Sequence, residues 1–294
     1  MTVAPGDTAH LSRDRSSGPM ASDGQASTAP VIVLAPAYSG ASTLRSLLEG
    51  YPGLACTSGT GLLPLCEQAV ATWGRADRRP GGRPSSLAAA STRALASSVV
   101  TSILAREGKT RWCEVAAANT QAAETFLGLY PGTRFLCLYR DCPDFIRAAL
   151  EASPWGLVDP AFAPFTMKYP ASPVAALTAY WVAVTGPLAD FEREHPRACL
   201  RVRFEDLAPD GRAEERIISF LGLTSAVGRL FAGVDDPRPA APGPGLAAGP
   251  PPGLIPPPLL AQANDLLRQL DYPAMPVAGA ADDRGGRSEE PRHE

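Results

Sequence analysis

The chain has 294 residues, 27 basic against 30 acidic side chains, a formal net charge of −3 and 45 % hydrophobic residues. That length allows one large domain or two small ones, and that hydrophobic content is enough to bury a core. The near-neutral charge speaks against a dedicated nucleic-acid binder, which carries a basic surplus; an acidic ligand must be held by a local group of cations.

Residues 1–29 are rich in Ser, Gly, Asp, Ala and Thr and hold no apolar signal core, which predicts a disordered tail. Val31–Leu34 is a β-branched apolar run, followed by small and turn-forming residues to Gly40. Ser42–Glu49 places Leu44, Leu47 and Leu48 on one helical face. This reads as strand, tight turn, helix. Helical spacing returns over residues 86–107, and Arg111–Val115 reads as a second strand. Thr120–Leu129 follows as a helix closed by Tyr130-Pro-Gly132, then Arg134–Arg140 as a third strand and Pro143–Glu151 as a helix. Pro173–Glu194 is a longer helix, Cys199–Phe204 a fourth strand and Glu214–Leu221 a helix. Residues 237–258 hold ten prolines, which predicts an irregular loop; Leu259–Leu270 resumes helical periodicity, and residues 276–294 read as a second disordered tail.

Strands alternating with helices predict one α/β domain over residues 30–275: a three-layer parallel sheet with helices on both faces and a P-loop-like phosphate-binding turn. The uncharged stretches between Lys168 and Asp190 and between Arg238 and Asp265 are interrupted by Pro and Gly, so no membrane span is expected. The six cysteines show no C-x-x-C spacing and read as buried free thiols of a reducing cytosol, giving a cytoplasmic expectation. The richness in Ala, Arg, Pro and Gly suggests a bacterial source.

The first turn carries the most chemistry. A loop that opens a helix at the end of a parallel strand presents unpaired N–H groups and the positive end of the helix dipole to an anion. Ser39-Gly-Ala-Ser-Thr43 has the composition of such a cradle, and equally of an ordinary turn with a Ser cap. Ala35 stands at the first Gly of G-x-x-x-x-G-K-[ST] and Ala41 at its Lys, which argues against hydrolysis or transfer of a γ-phosphate. Arg140 ends the third strand on the same sheet edge and is placed for a second phosphate, with Arg147 about two helical turns further on; Arg140 could instead pair with Asp141 or Asp144.

These segments resemble the PAPS-dependent sulfotransferases, where PAPS is 3′-phosphoadenosine 5′-phosphosulfate. Tyr38-Ser-Gly-Ala-Ser-Thr-Leu-Arg-Ser-Leu-Leu48 with Tyr51-Pro-Gly53 is similar to the family's 5′-phosphosulfate loop. Tyr130–Asp144 is similar to its strand ending in R-D-P, which supplies the 3′-phosphate Arg. Leu200–Leu207 and Ile217–Leu223 resemble its R-Y-E-D-L and F-L-G-L signatures, and residues 255–273 resemble the closing helix of bacterial members. The resemblance implies PAPS as co-substrate, bound by Tyr38, Ser39, Gly40, Ala41, Ser42, Thr43, Arg140 and Arg147, and a small-molecule acceptor, with no nucleic-acid partner.

Four departures accompany it. Tyr38 stands where the family has Lys or Arg, Val115 where a Lys is common, and Ala148 where a Ser helps hold the 3′-phosphate; residues 243–249 supply no basic side chain. Of three histidines, His10 and His293 lie in the tails and His195, at a polar helix end, reads as solvated. Glu67 and Glu114 remain as candidate bases, with a structural Glu as the alternative for each. Gly61–Leu65, residues 154–157, Phe162, Phe165 and Tyr169 line an acceptor pocket or belong to the core. No metal-ligand spacing is present, and no metal is expected. The expected activity is sulfuryl transfer to a hydroxyl or amine; the alternatives are a catalytically weak or silent nucleotide binder and, further off, a P-loop kinase.

Overall fold

The computed structural model describes residues 29–76, 86–153, 156–157, 159–207, 212–223 and 253–276. The two expected tails, the cofactor-loop segment 243–249 and most of the Pro-rich loop fall outside the described residues.

Five strands form one sheet: β1 (Val31–Ala35), β2 (Leu54–Ser58), β3 (Arg111–Ala117), β4 (Arg134–Tyr139) and β5 (Cys199–Arg203). Their order is β2-β3-β1-β4-β5 and every pairing is parallel. The connecting helices are α1 (Ala41–Glu49), α2 (Leu62–Ala76), α3 (Ser86–Glu107), α4 (Thr120–Leu129), α5 (Cys142–Ala152), α6 (Ala163–Lys168), α7 (Pro173–Glu194), α8 (Arg212–Leu221) and α9 (Pro257–Gln269). The sheet therefore has one strand more than the periodicity predicts. The edge strand β2, Leu-Ala-Cys-Thr-Ser, buries only its first two residues fully and has neither the β-branched run of β1 nor the large apolar residues of β4.

Alternate residues of each inner strand enter opposite cores, as a sheet covered on both faces requires. Ile32, Leu34, Trp112, Phe135, Cys137 and Tyr139 pack under residues of α2, α4, α5, α7 and α9. Val31, Val33, Ala35, Cys113, Leu136, Leu138 and Val202 pack under α1 and α8. The helices start on local signals: Asn119 accepts the Ala122 amide at 3.0 Å, and Ser172 Oγ accepts the Ala175 amide at 3.1 Å ahead of Pro173. All six cysteines are free thiols, five of them buried and Cys56 half-buried.

Both α3 and α7 reach a mean hydropathy of 1.3 over the length of a membrane span, which the Pro-interrupted sequence does not lead one to expect for α7. The α7 window is 61 % buried within the fold, as befits a core helix, against 17 % for α3.

The chain order opens a crevice at the carboxyl edge of the sheet. From β1 the chain moves to β2 and β3 on one side; from β4 it moves to β5 on the other. The neighbours β1 and β4 thus send their connections in opposite directions, opening a crevice beyond their carboxyl ends. The turn after β1 and Arg140, the residue after β4, meet at that crevice.

Candidate functional site

The turn after β1 is held from three sides. Ser39 donates its amide and its Oγ to the Pro36 carbonyl, at 3.3 and 2.7 Å. Tyr38 takes a left-handed backbone, φ 59°, and its carbonyl accepts a hydrogen bond from Arg140 Nη1 at 3.1 Å. The Ala37 amide donates to the Tyr180 hydroxyl of α7 at 3.2 Å. Gly40, at φ 91°, is the N-cap of α1 and has no side chain to accept the first-turn amides. Their donors and the dipole of α1 therefore open toward the crevice.

Gly40 is required for a second reason. A Cβ on it would fall inside the van der Waals envelope of Phe204 Cδ2 and Cε2. The other flank of the Phe204 ring carries Arg140, whose guanidinium carbon lies 4.3 Å from the ring centroid. Arg140 is 7 % exposed, its Nε has no partner among the described residues, and burial lowers its pKa. Its backbone is fixed by Trp181 Nε1, which donates to the Arg140 carbonyl at 3.0 Å. A buried cation with an unused donor beside an uncapped helix N-terminus is a candidate anion ligand.

Arg140 thus leaves Asp141 and Asp144 without its hydrogen bonds. It is Arg147 that pairs with Asp144, through Nη2 at 2.5 Å. Asp141 opens α5, and burial, then the Glu205 and Asp144 carboxylates, push its pKa up to about 7. Glu205 accepts the Asp141 amide at 2.9 Å and the Tyr272 hydroxyl at 2.8 Å. It ties the end of β5 to α5 and to the segment after α9. Ser42 is exposed and Ala41 and Thr43 are half-buried at the start of α1.

The two candidate bases separate. Glu114, 2 % exposed, accepts from Thr57 Oγ1, from the Thr60 amide at 2.9 Å and from Thr60 Oγ1 at 2.8 Å. Both oxygens are occupied, and the side chain pins the Gly59–Gly61 turn to β3. It also borders a cavity of about 230 Å³ formed with Leu62, Leu63, Pro64, Val115, Ala116 and Asn119, beside the end of β1. Glu67 is half-buried one turn along α2 and does not reach that cavity.

The expected pocket residues divide too. Leu62 and Leu63 are core residues of α2, and Phe162 is fully buried, stacked on Tyr38 at 5.6 Å and edge-on to Tyr180 at 4.8 Å. Phe165 packs edge-on to Tyr180 at 5.6 Å. Leu65 is exposed, and residues 154 and 155 lie outside the described residues. Tyr169 lines a groove of about 700 Å³ with Ser172, Ala175, Leu254 and Leu260. Ala175 and Tyr180 are five residues apart on α7, so that groove faces about 140° away from the phosphate turn.

His195 is paired rather than solvated: its Nε2 lies 2.7 Å from Glu124 Oε1. With Glu194 these residues bring three potential metal-ligand atoms within 4.8 Å of one another at the amino edge of the sheet, a grouping their spacing in sequence does not reveal. Tyr180 carries no such signal in the sequence either, because a Tyr on an apolar helix reads as core.

The sulfotransferase family profile matches residues 30–226. No curated protein sequence matches the chain at a significant level. Among solved structures, the sulfotransferase domain from the curacin biosynthetic pathway superposes with a TM-score of 0.55 at 14 % identity, covering 84 % of this chain and 98 % of that one. A sulfotransferase from Mycobacterium avium gives 0.52 at 12 % identity, covering 85 % and 78 %. One from Alicyclobacillus acidocaldarius gives 0.51 at 13 %, covering 83 % and 94 %. At such identity the likeness shows the fold.

Proposed function

The chain belongs to the sulfotransferase family, and on that premise we propose that it moves a sulfuryl group from PAPS to a hydroxyl or amine of a small molecule. The observation that carries the reading is Arg140, buried with an unused Nε beside an open, uncapped helix N-terminus at the strand-order switch. Two anion sites a short distance apart suit a nucleotide esterified at both its 3′ and 5′ positions. The turn amides around Gly40 hold the 5′ group, and Arg140 holds the 3′-phosphate bidentately. Arg147, spent on Asp144, lends its charge to the neighbourhood.

PAPS, when bound, supplies an activated S–O bond whose rupture leaves charge on the 5′-phosphate. The first-turn amides of α1 face that charge as it grows, and they need no reorganisation to do so. The acceptor oxygen or nitrogen bonds to sulfur as the S–O bond to the 5′-phosphate breaks, the diphosphate leaves with the electron pair, and the acceptor's proton passes to water. The cavity beside β1, mostly apolar and about eight water volumes in size, suits a small uncharged group carrying that atom. Glu114 orders the cavity wall; with both oxygens occupied it is a positioning residue here. No metal is required, since amides and a guanidinium meet the charge.

A silent nucleotide binder is the second reading, favoured by the neutral phenol at Tyr38, stacked on Phe162 where a cation would steady the sulfuryl oxygens. Incubation with sulfur-labelled PAPS and a metabolite extract separates the two. Label on a metabolite supports the transferase; nucleotide binding without transfer supports the silent binder; absence of both overturns this section.

A further inference from the structure

Tyr180 enters the phosphate turn from α7. Its ring is 7 % exposed and held between Phe145 at 5.8 Å, Phe162 at 4.8 Å and Phe165 at 5.6 Å. Its hydroxyl oxygen accepts the Ala37 amide at 3.2 Å, and among the described residues nothing accepts its proton. One amide of the turn is therefore spent on a phenol rather than on an anion, and that phenol holds an unspent donor at the same place. A hydroxyl that accepts from an amide is polarised and becomes a stronger donor toward whatever it faces next.

We propose that Tyr180 is a direct ligand of the anion held by the turn, donating its phenolic hydrogen bond to the 5′ phosphosulfate group and relaying the Ala37 amide to it. The proposal rests on the reading of the turn as a phosphosulfate site. The Tyr38 side chain, stacked on Phe162, supplies no charge there, so the relay adds to the amides as a neutral donor. Burial, with Asp159 and Tyr38 nearby, raises the Tyr180 pKa, so the donor keeps its proton across the neutral range. The three surrounding rings fix the phenol before the ligand arrives, so little side-chain freedom is lost on binding.

Calorimetric titration of the full chain tests this with three nucleotides: PAPS, adenosine 3′,5′-diphosphate and adenosine 3′-monophosphate. Tyr180→Phe keeps the ring contacts and removes the hydroxyl. It is expected to weaken PAPS and the diphosphate about tenfold or more, and to leave the 3′-monophosphate unchanged. Equal affinities in both proteins, or the same loss for all three ligands, overturns the proposal. Should Y180F fold poorly, 3-fluorotyrosine at position 180 supplies a more acidic phenol in the same cage. Tighter binding of the two 5′-substituted ligands is then expected, and unchanged or weaker binding contradicts it. Failure of the unaltered protein to bind any of the three removes the phosphosulfate reading itself, and this proposal with it.

Discussion

The ring of Phe204 decides two residues at once. It fills the space a side chain at position 40 would need, and it gives Arg140 a flat surface to lie on. Gly40→Ala must strain a left-handed turn and displace that ring. A loss of about 3 kcal/mol in urea unfolding is expected, together with loss of nucleotide binding. Arg140→Lys keeps the charge but not the planar fork, so it is expected to bind the diphosphate far more weakly than the unaltered chain while melting near the same temperature. The Ser-Gly pair and Arg140 stand out in the sequence as candidate anion ligands because their residue types carry that chemistry. The Phe204 contact was not, since it joins positions 164 residues apart in sequence. Asp141 adds a pH signature. Its folded pKa, about 7, lies above the usual carboxylate value, so the folded state holds an extra proton between about pH 4 and 7. Stability from this group is complete below that window and is lost as pH rises through it. The thermal advantage of Asp141→Asn over the unaltered protein should therefore grow from pH 5 to pH 8; a constant difference would remove the burial effect assigned to Asp141.

Elements with a strong hydrophobic signal were legible, and those without one were not. Strands β1 and β4 show apolar runs, β3 and β5 large apolar residues between charged ones, and α7 its Ser-Pro start. The edge strand β2 and the helix α2 follow Tyr51-Pro-Gly with small and mixed residues, and tertiary packing supplies what propensity does not. What holds that corner is a polar network: Trp112 Nε1 donates to Thr57 Oγ1 at 2.8 Å, and Thr57 and Thr60 donate to Glu114. The sequence shows Glu114 as an acid near the functional edge, but its three donors come from a strand the periodicity misses and from the turn that follows it. Glu114→Gln turns one acceptor into a donor facing other donors and is expected to cost about 2 kcal/mol in chemical denaturation. A variant as stable as the unaltered chain, with activity lost and a shifted pH profile, would instead make Glu114 the base.

At the scale of the whole molecule, strand order selects the site. A groove of about 700 Å³ lies against a face of α7 turned away from the phosphate turn, whereas the crevice between β1 and β4 gathers the uncapped helix, the buried cation and Tyr180. Sequence pattern alone placed the turn and Arg140 on one edge of a parallel sheet; it did not show that Arg147 pairs with Asp144 or that both Glu114 oxygens accept from neighbours. The central claim is that this crevice grips a nucleotide carrying phosphates on both sides of its ribose. The most direct measurement is calorimetric titration of adenosine 3′,5′-diphosphate into the unaltered chain and into Arg140→Ala, with ATP and Mg²⁺ as the comparison ligand. Micromolar binding of the diphosphate, at least a hundredfold weaker in the variant, with no comparable binding of ATP, is the expected result. Binding that Arg140→Ala leaves untouched, or a preference for ATP, would contradict the account.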